Sequence, residues 1–325
     1  MSGMHRRVEH ASDDPERAGG EVQNKDGISL RKQQPLRHHN RFRLLIQLLA
    51  AAFFNGYVQG FFKGRIFTGK SKLICVPVLN CYACPGALGA CPVGAMQAVA
   101  GSRHRFSFFV LGTLMLFGTV CGRLLCGFLC PFGMIQDLLY RIPLPKLHVP
   151  HRADRLLRYL KYAVLIIFVL LMPVLTSEGP LSAGDPWFCK YICPVGTLEG
   201  GIPLLLKNES LRQAAGFLFS WKCAVLFAVL IGAVFVSRIF CRYLCPLGAF
   251  YALFNRFALY QMQLDKARCI GCGRCDAVCP MALDVRKEIT GGECIRCGSC
   301  KAVCPAKAIG SGMRRTGSEK DEREK

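Results

Sequence analysis

The sequence is short of charged residues, and above all of negative ones. Charged side chains make up 19% of its 325 residues, and 21 Asp and Glu stand against 42 Lys and Arg, which gives a formal net charge of +21. Such a surplus can serve nucleic-acid binding, but the basic residues are dispersed beside apolar runs and form no stripe interleaved with aromatic residues. We therefore expect no nucleic-acid partner.

Motifs of the common catalytic classes are also missing. The chain contains no nucleotide-binding fingerprint, no hydrolase nucleophile elbow and no pair of catalytic carboxylates. No secretory signal with a small-residue cleavage site is evident. The segment 1–40 predicts a disordered basic tail, and 311–325 predicts a disordered charged tail, because both are too poor in large apolar residues to form a core.

Long apolar runs are present instead. The mean hydropathy is positive, and a membrane helix needs roughly 20 apolar residues. Four runs approach that length: 42–62, 106–125, 160–178 and 216–237. The segment 41–260 is therefore predicted to be an all-α polytopic membrane bundle of about four transmembrane helices. Basic clusters precede the first run, separate the second from the third and follow the fourth, so the positive-inside rule places both termini in the cytoplasm.

Eight of the 20 cysteines form two C-x-x-C-x-x-C-x-x-x-C-P runs, CIGCGRCDAVCP at 269–280 and CIRCGSCKAVCP at 294–305. This is the pattern of bacterial two-cluster ferredoxins, in which the fourth cysteine of each run binds the other cluster. Structural zinc would use separated C-x-x-C pairs and four thiolates. The segment 261–310 thus predicts an α+β ferredoxin-like domain with two [4Fe-4S] clusters. The ligands of one are Cys269, Cys272, Cys275 and Cys304, and those of its neighbour are Cys294, Cys297, Cys300 and Cys279.

Two C-x-x-x-C-P motifs lie at the ends of the second and fourth apolar runs, as CGFLCP at 126–131 and CRYLCP at 241–246. Together they supply the four thiolates of one more cluster, at the inner membrane face. Each proline suits the first position of a helix, whose free amides stabilise a thiolate. The alternative is that these cysteines pack as small hydrophobic residues. The expected ligands are Cys126, Cys130, Cys241 and Cys245.

Cysteine-proline pairs also occur, with less regular spacing, in the two outer loops. Their sequences are NCYACPGALGACPVGAMQ at 80–97 and WFCKYICPVGTLEGG at 187–201. Short interfacial or re-entrant helices are predicted to follow the cysteine-proline pairs, one of which comes after each apolar run. Disulfides are the alternative, for instance between Cys75 and Cys81. Cys121 and Cys223, inside apolar runs, are interpreted as packing residues. The ligands of a fourth, outer cluster would be Cys84, Cys91, Cys189 and Cys193, with Cys81 as an alternative.

Taken together, these motifs resemble the NapH/NosR-like family of membrane polyferredoxins, over residues 42–305. The resemblance implies four spans, cytoplasmic C-terminal clusters and passage of electrons through a membrane. It also implies a multi-pass location in the inner (cytoplasmic) membrane of a prokaryote. The large extracytoplasmic flavin-bearing domain of some relatives is not found in this sequence.

The predicted function is a membrane electron conduit in an oxidoreductase system, since one-electron transfer needs no acid–base catalyst. Its partners would be the lipid bilayer, a cytoplasmic electron donor and a quinone or extracytoplasmic redox protein. The hydrocarbon core is about 30 Å thick, so the outer-loop segments must reach into it if electrons are to cross. Two alternatives stand beside this one: an oxidoreductase that itself reduces a quinone or metal ion, and a redox-sensing or assembly protein.

Overall fold

The computed structural model describes residues 30–102, 107–147, 149–177 and 184–313, with the backbone alone described at 30–37 and 151. Helices dominate these residues. Those of the N-terminal half are α1 Leu30–Phe54, α2 Val58–Lys63, α3 Pro92–Gly101, α4 Phe108–Val120, α5 Leu124–Phe128, α6 Pro131–Leu139, α7 His151–Val164 and α8 Met172–Leu175. Those that follow are α9 Ile202–Lys207, α10 Glu209–Ala214, α11 Phe217–Phe235, α12 Ile239–Tyr243, α13 Pro246–Asn255, α14 Arg274–Ala277, α15 Val285–Glu288 and α16 Ser299–Val303.

Two helices among the described residues are long and apolar enough to cross a membrane, and they coincide with the third and fourth predicted spans. One is the continuous helix Arg152–Leu175, which passes through a π-helical stretch at Leu165–Leu171, and the other is α11. The first apolar run breaks between α1 and α2, and the second forms only the 13-residue α4 before Gly122 takes a left-handed φ of 56°. The four-span bundle therefore stays a prediction.

The C-terminal module pairs its two ends in a small antiparallel sheet. Strand β1 (Tyr260–Leu264) pairs with β2 (Ile309–Met313), with Leu264 opposite Ile309. Between them the cysteine runs turn at Gly271, Gly273 and Gly298, each with a φ between 66° and 78° that favours glycine. This is the α+β ferredoxin-like module that the cysteine spacing predicts.

Cysteine-proline pairs begin three of the helices. Pro92, Pro131 and Pro246 are the first residues of α3, α6 and α13, and the cysteine before each is the N-cap in an extended conformation. Proline is tolerated there because the first helical N–H groups have no partner within the helix. The sequence thus places each of these cysteines at the N-terminus of a helix.

The ferredoxin module is joined to the helical part by buried polar contacts. Asn255, at the end of α13, donates through Nδ2 to the carbonyl oxygens of Gly291 at 2.8 Å and Cys294 at 2.9 Å. Glu293 accepts from Arg123 at 2.7 Å and also forms an ion pair with Lys161. Both cationic side chains are fully buried. The two parts of the chain therefore share one interior.

A substitution at Gly127 tests how closely the ferredoxin module packs against the helical part. A Cβ added there would lie 2.5 Å from the backbone oxygen of Ile295 in the ferredoxin module. We expect Gly127→Ala to lower stability by about 1–3 kcal/mol, because neither backbone can move aside freely. Thermal unfolding in detergent measures this. Gly112→Ala, on the exposed face of α4 with nothing within 4 Å of the new Cβ, is the control and should not destabilise the protein. Equal effects of the two substitutions would contradict close packing at Gly127.

Candidate iron–sulfur sites

Two small cavities in the ferredoxin module are lined by the two predicted ligand sets. Gly271, Gly273 and Gly298 form the turns that bring successive cysteines to face the same cavity. Of these thiols only that of Cys272 belongs to an exposed residue. One cavity is lined by Cys269, Cys272, Cys275 and Cys304, and the other by Cys279, Cys294, Cys297 and Cys300.

A third small cavity, here called the inner site, joins the two C-x-x-x-C-P motifs. It is lined by Cys126, Cys130, Cys241 and Cys245. The backbone N–H of Gly248 donates to the Cys245 sulfur at 3.4 Å. Burial raises the pKa of the Cys130 thiol, and a hydrogen bond from Gly133 opposes that rise. All four predicted inner ligands are thus brought together.

Two arginines hold the motifs of the inner site against each other. Arg123 donates through Nη2 to the carbonyl oxygen of Cys241 at 3.2 Å, and Arg238 donates through Nη1 to that of Cys126 at 2.9 Å. Both side chains are fully buried. Each lies three residues before the first cysteine of its own motif, and it binds the first cysteine of the other. Sequence reasoning missed them, although a repeated R-x-x-C-x-x-x-C-P pattern was there to be found.

A fourth cavity, the outer site, is larger, with a volume of about 600 Å³. Its cysteines are Cys81, Cys91, Cys189 and Cys193. Cys84 was the predicted ligand and Cys81 the alternative, but the structure brings Cys81 to this cavity and not Cys84. The turn closed by the hydrogen bond from Cys84 N to Cys81 O leaves the Cys84 thiol beside Asn55, with its sulfur 3.5 Å from Oδ1. Cys75 does not line the cavity, and all 20 cysteines are free thiols.

Matching glutamines connect the motifs in both sites. Gln136 donates to the Cys241 sulfur at 3.2 Å and accepts from the backbone of Phe240 at 3.1 Å. Gln97 does the same in the outer site, with the Cys189 sulfur at 3.1 Å and Phe188 N at 3.0 Å. Each glutamine lies six residues after a cysteine of a C-P-x-G-x-x-Q sequence. Sequence reasoning missed this repeat too, and it relates the two sites to each other.

A partly buried carboxyl lies beside the outer site, and a fully buried amide lines it. Glu199 Oε2 accepts from Cys81 N at 2.9 Å, and burial raises the pKa of Glu199 to about 7. Both amide atoms of Asn80, which is 0% exposed, have no hydrogen-bond partner among the described residues. Arg123 Nε at the inner site lacks one as well. Buried polar groups normally have partners, so the unpaired donors Asn80 Nδ2 and Arg123 Nε fit a group with several acceptor atoms at each site.

Four thiolates with backbone N–H donors are the donor set of a [4Fe-4S] cluster. Among the described residues no group of three or more His, Cys, Asp or Glu is spaced for a single metal ion. The residues of all four cavities therefore fit such clusters, which would supply one-electron redox chemistry.

The inner site adjoins the ferredoxin module on one side and the outer site on the other. Cys126 of the inner site packs against the buried cluster of Met281, Leu283, Ile295 and Cys297, against which Cys279 and Cys294 of the ferredoxin module also pack. Leu79, which is 2% exposed, lines both the inner and the outer cavity. A single side-chain layer thus separates these two sites.

Family models match most of the cysteine-bearing chain. A 4Fe-4S binding domain matches three times, at 104–150, 162–208 and 218–261, and each match contains one C-x-x-x-C-P motif. A 4Fe-4S dicluster domain matches residues 261–305. The threefold match confirms the internal repeat inferred from the cysteine-proline pairs.

Curated relatives include proteins of the ferredoxin type. An uncharacterized protein of Methanocaldococcus jannaschii is 30% identical over 52% of this chain and 56% of its own length. The methylamine utilization ferredoxin-type protein MauN of Paracoccus denitrificans is 28% identical over 71% of each chain. The regulatory protein NosR of Pseudomonas aeruginosa is 27% identical over 55% of this chain, but the matched part is only 22% of NosR.

No solved structure matches the chain. The shared 4Fe-4S domains and ferredoxin-type relatives show that this chain belongs to the NapH/NosR-like family of polyferredoxins, which are iron–sulfur electron-transfer proteins.

Proposed function

We propose that this polyferredoxin carries electrons across a membrane, between a cytoplasmic donor and a quinone or extracytoplasmic redox protein. The observation that carries the proposal is the shared position of Leu79 between the inner and outer cavities. A bilayer core is about 30 Å thick, too far for one hop between clusters on opposite faces. Because the Val78–Asn80 segment is buried between the cavities, the two sites are much closer than that.

The path would begin at the Cys269 cavity, whose Cys272 is exposed to a donor. It would continue through the Cys294 cavity to Cys126 of the inner site, which packs against that cavity. It would end at the outer site, for which we propose Cys81, Cys91, Cys189 and Cys193 as the ligands. Backbone N–H groups donate to the sulfurs, as those of Gly248 and Gly196 do to Cys245 and Cys193, so the protein would provide fixed geometry and no proton transfer.

The apolar surface supports a location in the membrane. Leu156, Ile166 and Leu175 are 57–74% exposed on the helix Arg152–Leu175, and α11 exposes Phe217 and Phe227. Large exposed apolar faces of this kind contact lipid or a partner. We place the ferredoxin module on the cytoplasmic side of the inner membrane of a prokaryote. The N-terminal end of α1 lies on the same side, since the His39 ring is hydrogen-bonded to Cys297 O at 2.6 Å.

Transfer across closed vesicles tests the proposal. The full chain, loaded with clusters under anaerobic conditions, is reconstituted into vesicles that contain ferricyanide, and dithionite is added outside. We expect the enclosed ferricyanide to be reduced by the wild type and not by the Cys189→Ser, Cys193→Ser variant. Cys223→Ser is the control, because Cys223 lines none of the four cavities. Equal rates for all three chains would refute the conduit.

A second candidate function rests on the size of the outer cavity. Its volume of about 600 Å³ lies within the range of roughly 300–1,000 Å³ that is typical of small-molecule sites. The chain would then itself reduce a quinone there. Quinone-dependent oxidation of the reduced, isolated protein would favour this function over transfer to a partner protein.

A further inference from the structure

The inner and outer sites have matching cysteines and glutamines but different charged neighbours. Arg123 and Arg238 precede the first cysteines of the inner motifs by three residues, and the corresponding outer positions are Val78 and Pro186. Six residues after Cys193 stands Glu199, whereas Tyr251 occupies that place after Cys245. At matching positions, the inner site thus has two arginines where the outer site has none. The outer site has a glutamate where the inner site has a tyrosine.

The arginines are positioned to act on the inner site. Arg123 lines its cavity, is fully buried, and its Nε has no partner among the described residues. Arg238 binds the carbonyl of the ligand Cys126. Away from water such charges are weakly screened, so their effect on a nearby cluster is large.

Carboxylates near the inner site do not cancel this arrangement. Glu293 binds Nη1 of Arg123, whereas Nη2 of the same group contacts Cys241 O. Asp137 binds Nε and Nη2 of Arg238. Neither carboxylate is hydrogen-bonded to an inner cysteine in the described structure, whereas both guanidinium groups donate to the backbone carbonyls of inner cysteines. Lys161, paired with Glu293, adds a further positive charge.

The outer site has a different arrangement. Glu199, which is partly buried, accepts directly from the backbone N–H of Cys81. Two positive groups face this site: Lys72, which is buried and donates to Tyr82 O, and Lys222, which lines the open cavity and is partly exposed. The partly exposed ammonium of Lys222 is more strongly screened than a buried guanidinium.

We propose that Arg123 and Arg238 hold the inner cluster at a higher reduction potential than the outer one, with Glu199 lowering the potential of the outer cluster. Positive charge stabilises the reduced state, which carries one more negative charge, and cluster potentials depend on local charge and burial. Transfer between the sites moves one electron, without a proton: the outer cluster is oxidised by one electron as the inner is reduced. Electrons would therefore collect at the inner site. This inference rests on the proposed function only in assuming that both sites hold clusters.

Redox titration of the loaded full chain, followed by electron paramagnetic resonance, measures both potentials. The Cys189→Ser, Cys193→Ser variant identifies the outer signal by its loss. At any common potential we expect the reduced-to-oxidised ratio of the inner cluster to exceed that of the outer at least about tenfold, which corresponds to 59 mV for one electron. An inner potential equal to or below the outer one would overturn the proposal.

Two substitutions test the assigned residues separately. Glu199→Gln, which removes the carboxylate that contacts Cys81, should raise only the outer potential. Arg123→Gln should lower only the inner potential, and Arg123→Lys should restore most of it. Unchanged potentials in both neutral variants would refute the assignment. If Arg123→Gln fails to fold, Glu199→Gln still tests the part of the proposal that concerns the outer site.

The vesicle experiment separates this inference from the proposed function. Vesicles that transfer no electrons, with both cluster signals present, would refute the conduit and leave the two potentials measurable.

Discussion

Replacing Cys81 with Ser is expected to remove about four irons from the total of about sixteen that we propose for each chain, whereas replacing Cys84 should remove none. The reason is position: Cys81 lines the outer cavity with Cys91, Cys189 and Cys193, and Cys84 lies beside Asn55. Iron and acid-labile sulfide per chain, measured after anaerobic purification in detergent, give the result.

The pair Cys81→Ser and Cys84→Ser forms its own control, since the two cysteines are three residues apart in one loop. Loss of four irons from the Cys84 variant alone would make Cys84 the ligand, against the arrangement in the structure. About twelve irons in the parent chain as well would remove the outer cluster altogether and favour disulfides or free thiols in the outer loops.

The second large effect is expected at Glu293. Glu293→Ala leaves Arg123 and Lys161 fully buried without their carboxylate, and breaking a buried ion pair in this way costs about 3–5 kcal/mol. We expect a correspondingly lower unfolding midpoint and loosening of the ferredoxin module from the inner site. Thermal unfolding and limited proteolysis measure the two effects. Glu288→Ala is the matched control: this carboxylate is 45% exposed and lies 3.4 Å from Arg158, so it should cost no more than about 1 kcal/mol.

The same carboxylate should make stability depend on pH. Burial alone would raise the pKa of Glu293, but the charges of Arg123 and Lys161 outweigh it and lower the pKa below the ordinary value of 4.5. A lowered pKa means that this stabilisation is complete above the unfolded-state value and is lost as the pH falls through the lower folded-state value. A Glu293→Ala variant should lack this part of the acid transition. An identical acid transition in wild type and variant would contradict the assignment.

Sequence alone was sufficient where ligand spacing repeats. The two ferredoxin sets each line one cavity, and Cys126, Cys130, Cys241 and Cys245 line another, because the fixed spacing within each motif turns its cysteines toward one side. Sequence alone was insufficient in the loop Asn80–Cys91, which contains three candidate ligands. The turn at Cys81–Cys84 determines that Cys81, and not Cys84, faces the cavity. Span prediction failed to foresee the break after Phe54 and the turn at Gly122, since hydropathy does not register where a helix ends.

Residues that contact the partner motif of the same site were even harder to predict from the sequence. Arg123 and Gln136 each contact a motif more than 100 positions away, so no local pattern shows their partners. Only comparison of the motifs with each other would have identified them, through the repeated arginine before the cysteine and the repeated glutamine after it.

On the proposed transmembrane path, the layer of Val78, Leu79 and Asn80 would have an electrical consequence in an energised membrane. These residues are at most 2% exposed, so they form a dry partition between the two sites. A transmembrane voltage falls mainly across the least conducting part of a protein, and full transfer of one charge across 100 mV is worth about 2.3 kcal/mol. We expect the electron's step past Leu79 to sense much of that voltage, which would couple the rate of this single hop to the energy state of the cell.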